Sequence, residues 1–239
     1  MSERRSRAGT LFLIPVGLGG DDEASLVAPA TRETAHRLTR FIVENAKSAR
    51  RFLQAIGHPL PLRQIEMHVL DEHTRDIEPL LELLVAGSDC GLMSEAGCPA
   101  VADPGAALVR RAHAAGIVVT PLVGPSSVLL ALMASGLDGQ HFVFHGYLPA
   151  DQSGRARKIR EIDAQAGNAT HIFIETPYRN AALLRSLLDE CRGDTLLCIA
   201  VDLTLPDAAV ATRTIVEWEK KPPDLDRRPA VFLIYRGTP

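Results

Sequence analysis

The apolar residues of this chain fall into short runs, separated by longer amphipathic stretches and by turns of Gly, Pro and Asp. Leu11–Val16, Cys90–Met93 and Ile117–Leu122 read as buried strands, each an apolar run closed by turn residues. Ile65–Leu70 is a weaker strand. Between them the apolar residues recur at helical spacing over Asp76–Ala86, stopped by Gly87, and over Gly105–Ala115, stopped by Gly116. A further helix spans Ser126–Ser135, with Pro125 and Ser126 at its start. Thr31–Ile56 is also helical in pattern, although its Phe41-Ile42-Val43 core is equally compatible with an embedded strand. Strands alternating with helices of this length predict βαβ units on a parallel sheet.

The texture changes after Gly136. Strands are predicted at His141–Tyr147, His171–Thr176, Thr195–Leu203, Val210–Trp218 and Ala230–Tyr235, with a helix at Asn180–Cys191. A polar, basic stretch (DQSGRARKIR) follows the first of these strands, and a proline-rich loop (KKPPDLDRRP) precedes the last. More strands per helix imply a mixed sheet. The expected organisation is therefore a disordered leader over 1–10 and an N-terminal α/β domain over 11–137 with a largely parallel sheet. A C-terminal α/β domain with a mixed sheet follows over 138–239.

Composition narrows the function classes. At 239 residues the chain can bury roughly 70% of its unfolded surface without a metal or disulfide staple. A formal net charge of -3 excludes a globally basic nucleic-acid binder and leaves room for a local basic patch. Cys90, Cys98, Cys191 and Cys198 show neither C-x-x-C spacing nor a companion His cluster, so reduced thiols and no metal are expected. Leu11–Val16 is too short for a signal peptide, and no stretch approaches the roughly 20 apolar residues of a membrane helix. These features predict a soluble, cytoplasmic protein.

The chemistry concentrates between Gly91 and Ser127. Two apolar runs end there in loops of Gly, Pro, Ser and acid, SEAGCPAVADPG and VGPSS, at the place where open α/β sheets bind ligands. GLGGDD at 17–22 also follows a strand, but it lacks the third glycine of a dinucleotide fingerprint. It suits a turn whose backbone N–H groups meet a ligand. Asp103, just before Pro104, reads as a helix N-cap. Glu95 directly follows a strand, where no cap is needed. Ser126 and Ser127 stand at a helix N-terminus, and no G-x-S-x-G elbow makes either a nucleophile. The eight histidines are scattered; His68 and His73, five residues apart beside an acidic pair, read as a solvated face. Arg50-Arg51 and RARKIR at 155–160 are the basic clusters, either exposed surface or phosphate contacts.

In this order, these motifs resemble the tetrapyrrole (corrin/porphyrin) methylase superfamily, and within it the branch that methylates a cytidine ribose 2′-hydroxyl of small-subunit rRNA. The resemblance is densest over 91–149 and extends to IPVGLGG at 14–20, ENAKSARRFL at 44–53, IFIETPYR at 172–179 and AVDLTL at 200–205. It implies two α/β domains with S-adenosyl-L-methionine in the cleft between them, and a homodimer. It implies cofactor contacts from Pro15, Gly19 and Gly20, from Glu95, Ala96, Gly97, Cys98 and Val101, from Ser126 and Ser127, and from Thr176 and Leu203. The chain departs from the branch at Glu95, where Asp is usual, and at Asn45–Lys47. It departs again at Val201–Leu205, where both flanking basic residues are lost. Proton removal from a ribose hydroxyl falls to Glu44, Glu95, Asp103 or Asp202, with none singled out. A methyltransferase acting on a tetrapyrrole-like or other substrate, and a non-catalytic paralogue that binds the cofactor, are the alternatives.

Overall fold

The computed structural model describes residues 8–20 and 23–237, which divide into two compact units, one ending at Ser126 and the other beginning at Ser127. Residues 1–7 of the expected leader lie outside the described residues. Its last residues belong to the fold: Gly9 N donates to Leu84 O at 2.8 Å, and Thr10 opens the first strand.

The first unit alternates strand and helix: β1 (Thr10–Leu13), α1 (Pro29–Arg37), β2 (Arg40–Val43), α2 (Ala46–Ala55), β3 (Glu66–Val69), α3 (Glu78–Val85), β4 (Cys90–Met93), α4 (Ala106–Ala114) and β5 (Val118–Pro121). All neighbouring strands are parallel, in the order β3-β2-β4-β1-β5. Alternate residues of each strand serve opposite faces, as strand geometry requires. Phe41 and Val43 join Ile14 and Met93 beneath Ala49, Phe52 and Leu53 of α2 and Ala35 of α1. Ile42, Leu11 and Leu92 turn the other way, against Leu80, Leu81 and Leu84 of α3 and Leu108 and Ala112 of α4. Both faces are covered, which is why these strands read as continuous apolar runs. The ambiguous Thr31–Ile56 segment is helix, strand, helix. Phe41, Ile42 and Val43 are fully buried between two layers, a place that favours β-branched and aromatic residues in a strand.

The second unit contains α5 (Ser127–Ser135), β6 (Phe142–Phe144), α6 (Gln152–Gln165), β7 (Thr170–Ile174), α7 (Asn180–Glu190), β8 (Leu196–Val201), β9 (Ala209–Thr214), α8 (Ile215–Lys220) and β10 (Ala230–Tyr235). Its sheet runs β6-β7-β10-β8-β9; only β6 and β7 are parallel, so the sheet is mixed. Helices α6, α7 and α8 cover one face through Ile159, Ile162, Leu187 and Trp218. Helix α5 covers the other, setting Val128, Ala131 and Leu132 against Ile172, Cys198, Val231 and Leu233. By packing, α5 belongs here, so the second unit starts earlier than residue 138.

Two elements differ from the expected ones. The basic stretch is a 14-residue helix, α6, capped by Asp151, whose carboxylate accepts from Gly154 N at 2.7 Å. The run Val210–Trp218 is strand only to Thr214, where a capping box with Glu217 starts α8.

Candidate active site at the ends of the parallel strands

The topology of the first unit creates a crevice. The crossover leaving β1 passes β4 to reach β2, while the crossover leaving β4 passes β1 to reach β5. Two adjacent strands thus send their chains to opposite sides, and the loops at their carboxyl ends are left apart for a ligand.

Those loops are tied to one another by backbone. Val16 N donates to Gly97 O at 2.9 Å, and Gly97 N returns to Gly17 O at 3.3 Å. Gly97 has a positive φ of 68°, and a Cβ there would stand 3.2 Å from Leu18 Cδ2. The loop after β5 closes on the same place. A Cβ on Gly124 would lie 2.4 Å from Pro15 Cβ, and Cys98 Sγ donates to Pro125 O at 3.4 Å. Gly19, with φ of 123°, has open space where its Cβ would be. Pro15, Gly97 and Cys98 are thereby brought together, with Glu95 and Ala96 exposed beside them and Val101 at the surface end of the loop. Ala100 and Ala102 both take positive φ, 66° and 64°, an uncommon conformation for residues with a Cβ. Ser126 and Ser127 lie on either side of the division between the units, with α5 starting at Ser127.

The acids of this crevice separate by environment. Glu44, one residue past β2, accepts from Glu95 N through Oε2 at 2.9 Å. Its carboxyl is pushed above the usual range, chiefly by burial and also by the negative charges of Glu95, Glu72 and Asp71; the bond from Glu95 N opposes this. Asp103 is shifted further, to about 6. Burial is the main cause and Glu44 the second, while the Ser94 hydroxyl pulls the other way. Asp103 is not the helix cap that its place before Pro104 suggests. Helix α4 begins only at Ala106, and Gly105, with φ of 131°, stands at its cap. Glu44 carried a signal visible in the sequence: like Glu95, it follows a buried apolar run directly, where nothing needs capping.

Beside these acids the first turn of α2 opens a pocket of about 350 Å³, lined by Asn45, Lys47, Ser48, Arg51 and Glu95. The side chains of the other basic cluster are engaged within the second unit. Arg155 is buried and donates to Ser186 Oγ at 2.9 Å and Ala150 O at 2.9 Å. Arg157 and Lys158 pair with Glu161, and Arg160 with Glu190.

In the second unit, Thr176 sits exposed beyond β7, its N–H donating to Glu175 Oε1 at 2.7 Å. Leu203 follows β8 between two residues of positive φ, Asp202 (49°) and Thr204 (73°). Asp202 is engaged by Arg228 Nε at 2.7 Å, which makes its carboxylate part of a structural pair. The four cysteines are free. Among the described residues, no helix is long and apolar enough to cross a membrane.

Residues 10–218 match the family model of the tetrapyrrole (corrin/porphyrin) methylases. The chain belongs to that family. It is therefore a methyltransferase of two α/β units. One similar protein is the ribosomal RNA small subunit methyltransferase I of Xylella fastidiosa, 33% identical over 201 residues, covering 83% of this chain and 70% of that one. Its counterpart in Pseudomonas aeruginosa is 28% identical over 230 residues, covering 95% of this chain and 79% of the relative. The crystal structure of the methyltransferase CobJ superposes with a TM-score of 0.64 at 19% identity, covering 96% of this chain and 95% of that one, a likeness of fold.

Proposed function

We propose that this methylase uses S-adenosyl-L-methionine to methylate a ribose 2′-hydroxyl of small-subunit rRNA. The relatives named for that RNA support the substrate. The observation that carries the chemistry is the half-buried Asp103 among the strand-end loops, with Glu44 bonded to Glu95 N next to it. The glycine loop fits a cofactor: Gly19 leaves open the space a Cβ would fill, so backbone N–H groups there are approachable. Pro15, Gly19, Gly20, Glu95–Cys98, Val101, Ser126, Ser127, Thr176 and Leu203 are the residues proposed to hold it. When bound, S-adenosyl-L-methionine supplies an electrophilic methyl group.

What the chain must supply is alignment of the hydroxyl and a place for its proton. Asp103 suits the second task. Near pH 7 a carboxyl with a pKa of about 6 is mostly ionised, yet more basic than an ordinary aspartate. Glu44 accepts a backbone N–H, Asp202 the Arg228 guanidinium and Asp103 the Ser94 hydroxyl; what sets Asp103 apart from Glu44 is the larger rise of its carboxyl. In cells we place the protein in the cytoplasm as a homodimer, on the family resemblance and the free thiols. Light scattering of the purified protein checks the dimer.

The test is methyl transfer from labelled cofactor to 30S subunits of a strain lacking this gene, followed by nucleoside mass spectrometry. Label in a 2′-O-methylated nucleoside is the expected result; binding of the cofactor without transfer to RNA sinks the substrate. For the wild type, kcat/KM should rise with pH to a plateau with a midpoint near the Asp103 value of about 6. Asp103→Asn should lose about 10²-fold or more in kcat while keeping its affinity for S-adenosylhomocysteine. Full activity in that variant removes Asp103 as the base.

A further inference from the structure

We propose that the pocket on the first turn of α2 receives a phosphodiester of the RNA substrate, held by the side chains of Lys47 and Arg51. This assignment rests on the rRNA reading above. Lys47 and Arg51 are four residues apart, so they share one face of α2, and both line the same cavity of about 350 Å³. Two N–H groups of the helix start are already satisfied. Asn45 Oδ1 accepts from Lys47 N at 2.8 Å and Ser48 N at 3.4 Å, so the site's attraction for an anion resides in the two cations. Among the described residues, the Lys47 ammonium has no ion-pair partner. The cations of 155–160 are taken up by Glu161, Glu190, Ser186 and Ala150 O, and Arg50 bends back to Ala46 O at 3.4 Å. A chain with net charge -3 that binds RNA needs a local cationic site, and this pocket supplies one.

The pocket's position decides which anion it suits. Its remaining wall is Glu95, whose N–H is bonded to Glu44, so the cavity adjoins the acids proposed to face the reacting hydroxyl. Glu95 repels a phosphate and accepts from a hydroxyl. The phosphate therefore sits toward Lys47 and Arg51, and the ribose toward the carboxylates. One segment, 44–51, thus carries the acid whose charge acts on Asp103 at its start and the phosphate clamp one to two helical turns later.

The full chain is compared with a Lys47→Gln/Arg51→Gln double variant for binding to an unmethylated small-subunit rRNA transcript over a series of salt concentrations. We expect RNA affinity to fall about tenfold or more at low salt. The slope of log K against log salt should become shallower by about 0.7 to 0.9, as the loss of one neutralised phosphate requires. S-adenosylhomocysteine affinity and the thermal melt should stay unchanged. Lys47→Arg/Arg51→Lys, which keeps both charges, should restore most RNA affinity, and Arg157→Gln/Lys158→Gln should leave it unaltered. Unchanged RNA affinity and slope in the double variant overturn the pocket and leave the rRNA reading standing. Loss of S-adenosylhomocysteine binding in a variant that still melts normally assigns the pocket to the cofactor and also overturns it. A wild-type chain that binds no RNA removes both.

Discussion

Asp103 has a cost that can be measured without any substrate. Its carboxyl has an ordinary value of 3.8 and rises to about 6 in the fold, so the native state holds a proton that the unfolded chain releases. Its contribution to stability is present below about pH 4 and is lost as pH climbs through about 6. Asp103→Asn should therefore be more stable than the wild type at pH 8, by on the order of 1 kcal/mol after allowance for its partial exposure. At pH 4 the two should match, and urea midpoints at both pH values make the comparison. A variant less stable at pH 8 contradicts the burial argument. The sequence showed the acid but not this environment. An Asp-Pro step predicts a cap, whereas the positive φ values at Ala102 and Gly105 delay the helix and free the side chain. Glu95 and the glycines were legible because nothing structural asked for them; the Glu44–Glu95 bond spans 51 residues and depends on β2 lying beside β4.

Helix α8 shows what local patterns do and do not reveal. Thr214 accepts from Glu217 N at 3.4 Å, and Glu217 Oε2 accepts from Thr214 N at 2.9 Å. The T-x-x-E spacing of a capping box is visible in the sequence, yet the strand expectation ran through it, because the β9 residues lead straight into Ile215-Val216. Thr214→Ala should cost about 1 kcal/mol, read as a lower urea midpoint with unchanged slope. A change near zero would mean that Trp218, whose Nε1 donates to Leu197 O at 2.8 Å, anchors the helix alone. Helix α6 was hidden differently. Its charges dominate the composition, but Arg155, Ile159, Ile162 and Asp163 recur at helical spacing and are the residues it buries. Most other strands and helices were legible because each carries its own period.

For the whole molecule, the alternation of elements announces two α/β units, while strand order and the place of α5 do not appear in it. Crossovers over intervening strands leave no local trace. Helix α5 follows β5 in sequence but shields Ile172, Cys198, Val231 and Leu233, and its Ser135 O accepts from Thr212 Oγ at 2.7 Å. A fragment starting at residue 127 should be soluble and show a cooperative thermal transition, whereas one starting at 138 bares that apolar face and should aggregate or bind a hydrophobic dye. Equal behaviour of the two fragments would mean that α5 is not needed to close the second unit.

The central place of β1 has a consequence for the birth of the protein. Leu11 is matched with Cys90 on one side and Val119 on the other. At a synthesis rate of about 5–20 residues per second, β1 emerges roughly 4–16 s before the first of these partners exists. For that interval an apolar strand has no sheet to join, so this methylase begins life dependent on whatever shelters a nascent chain.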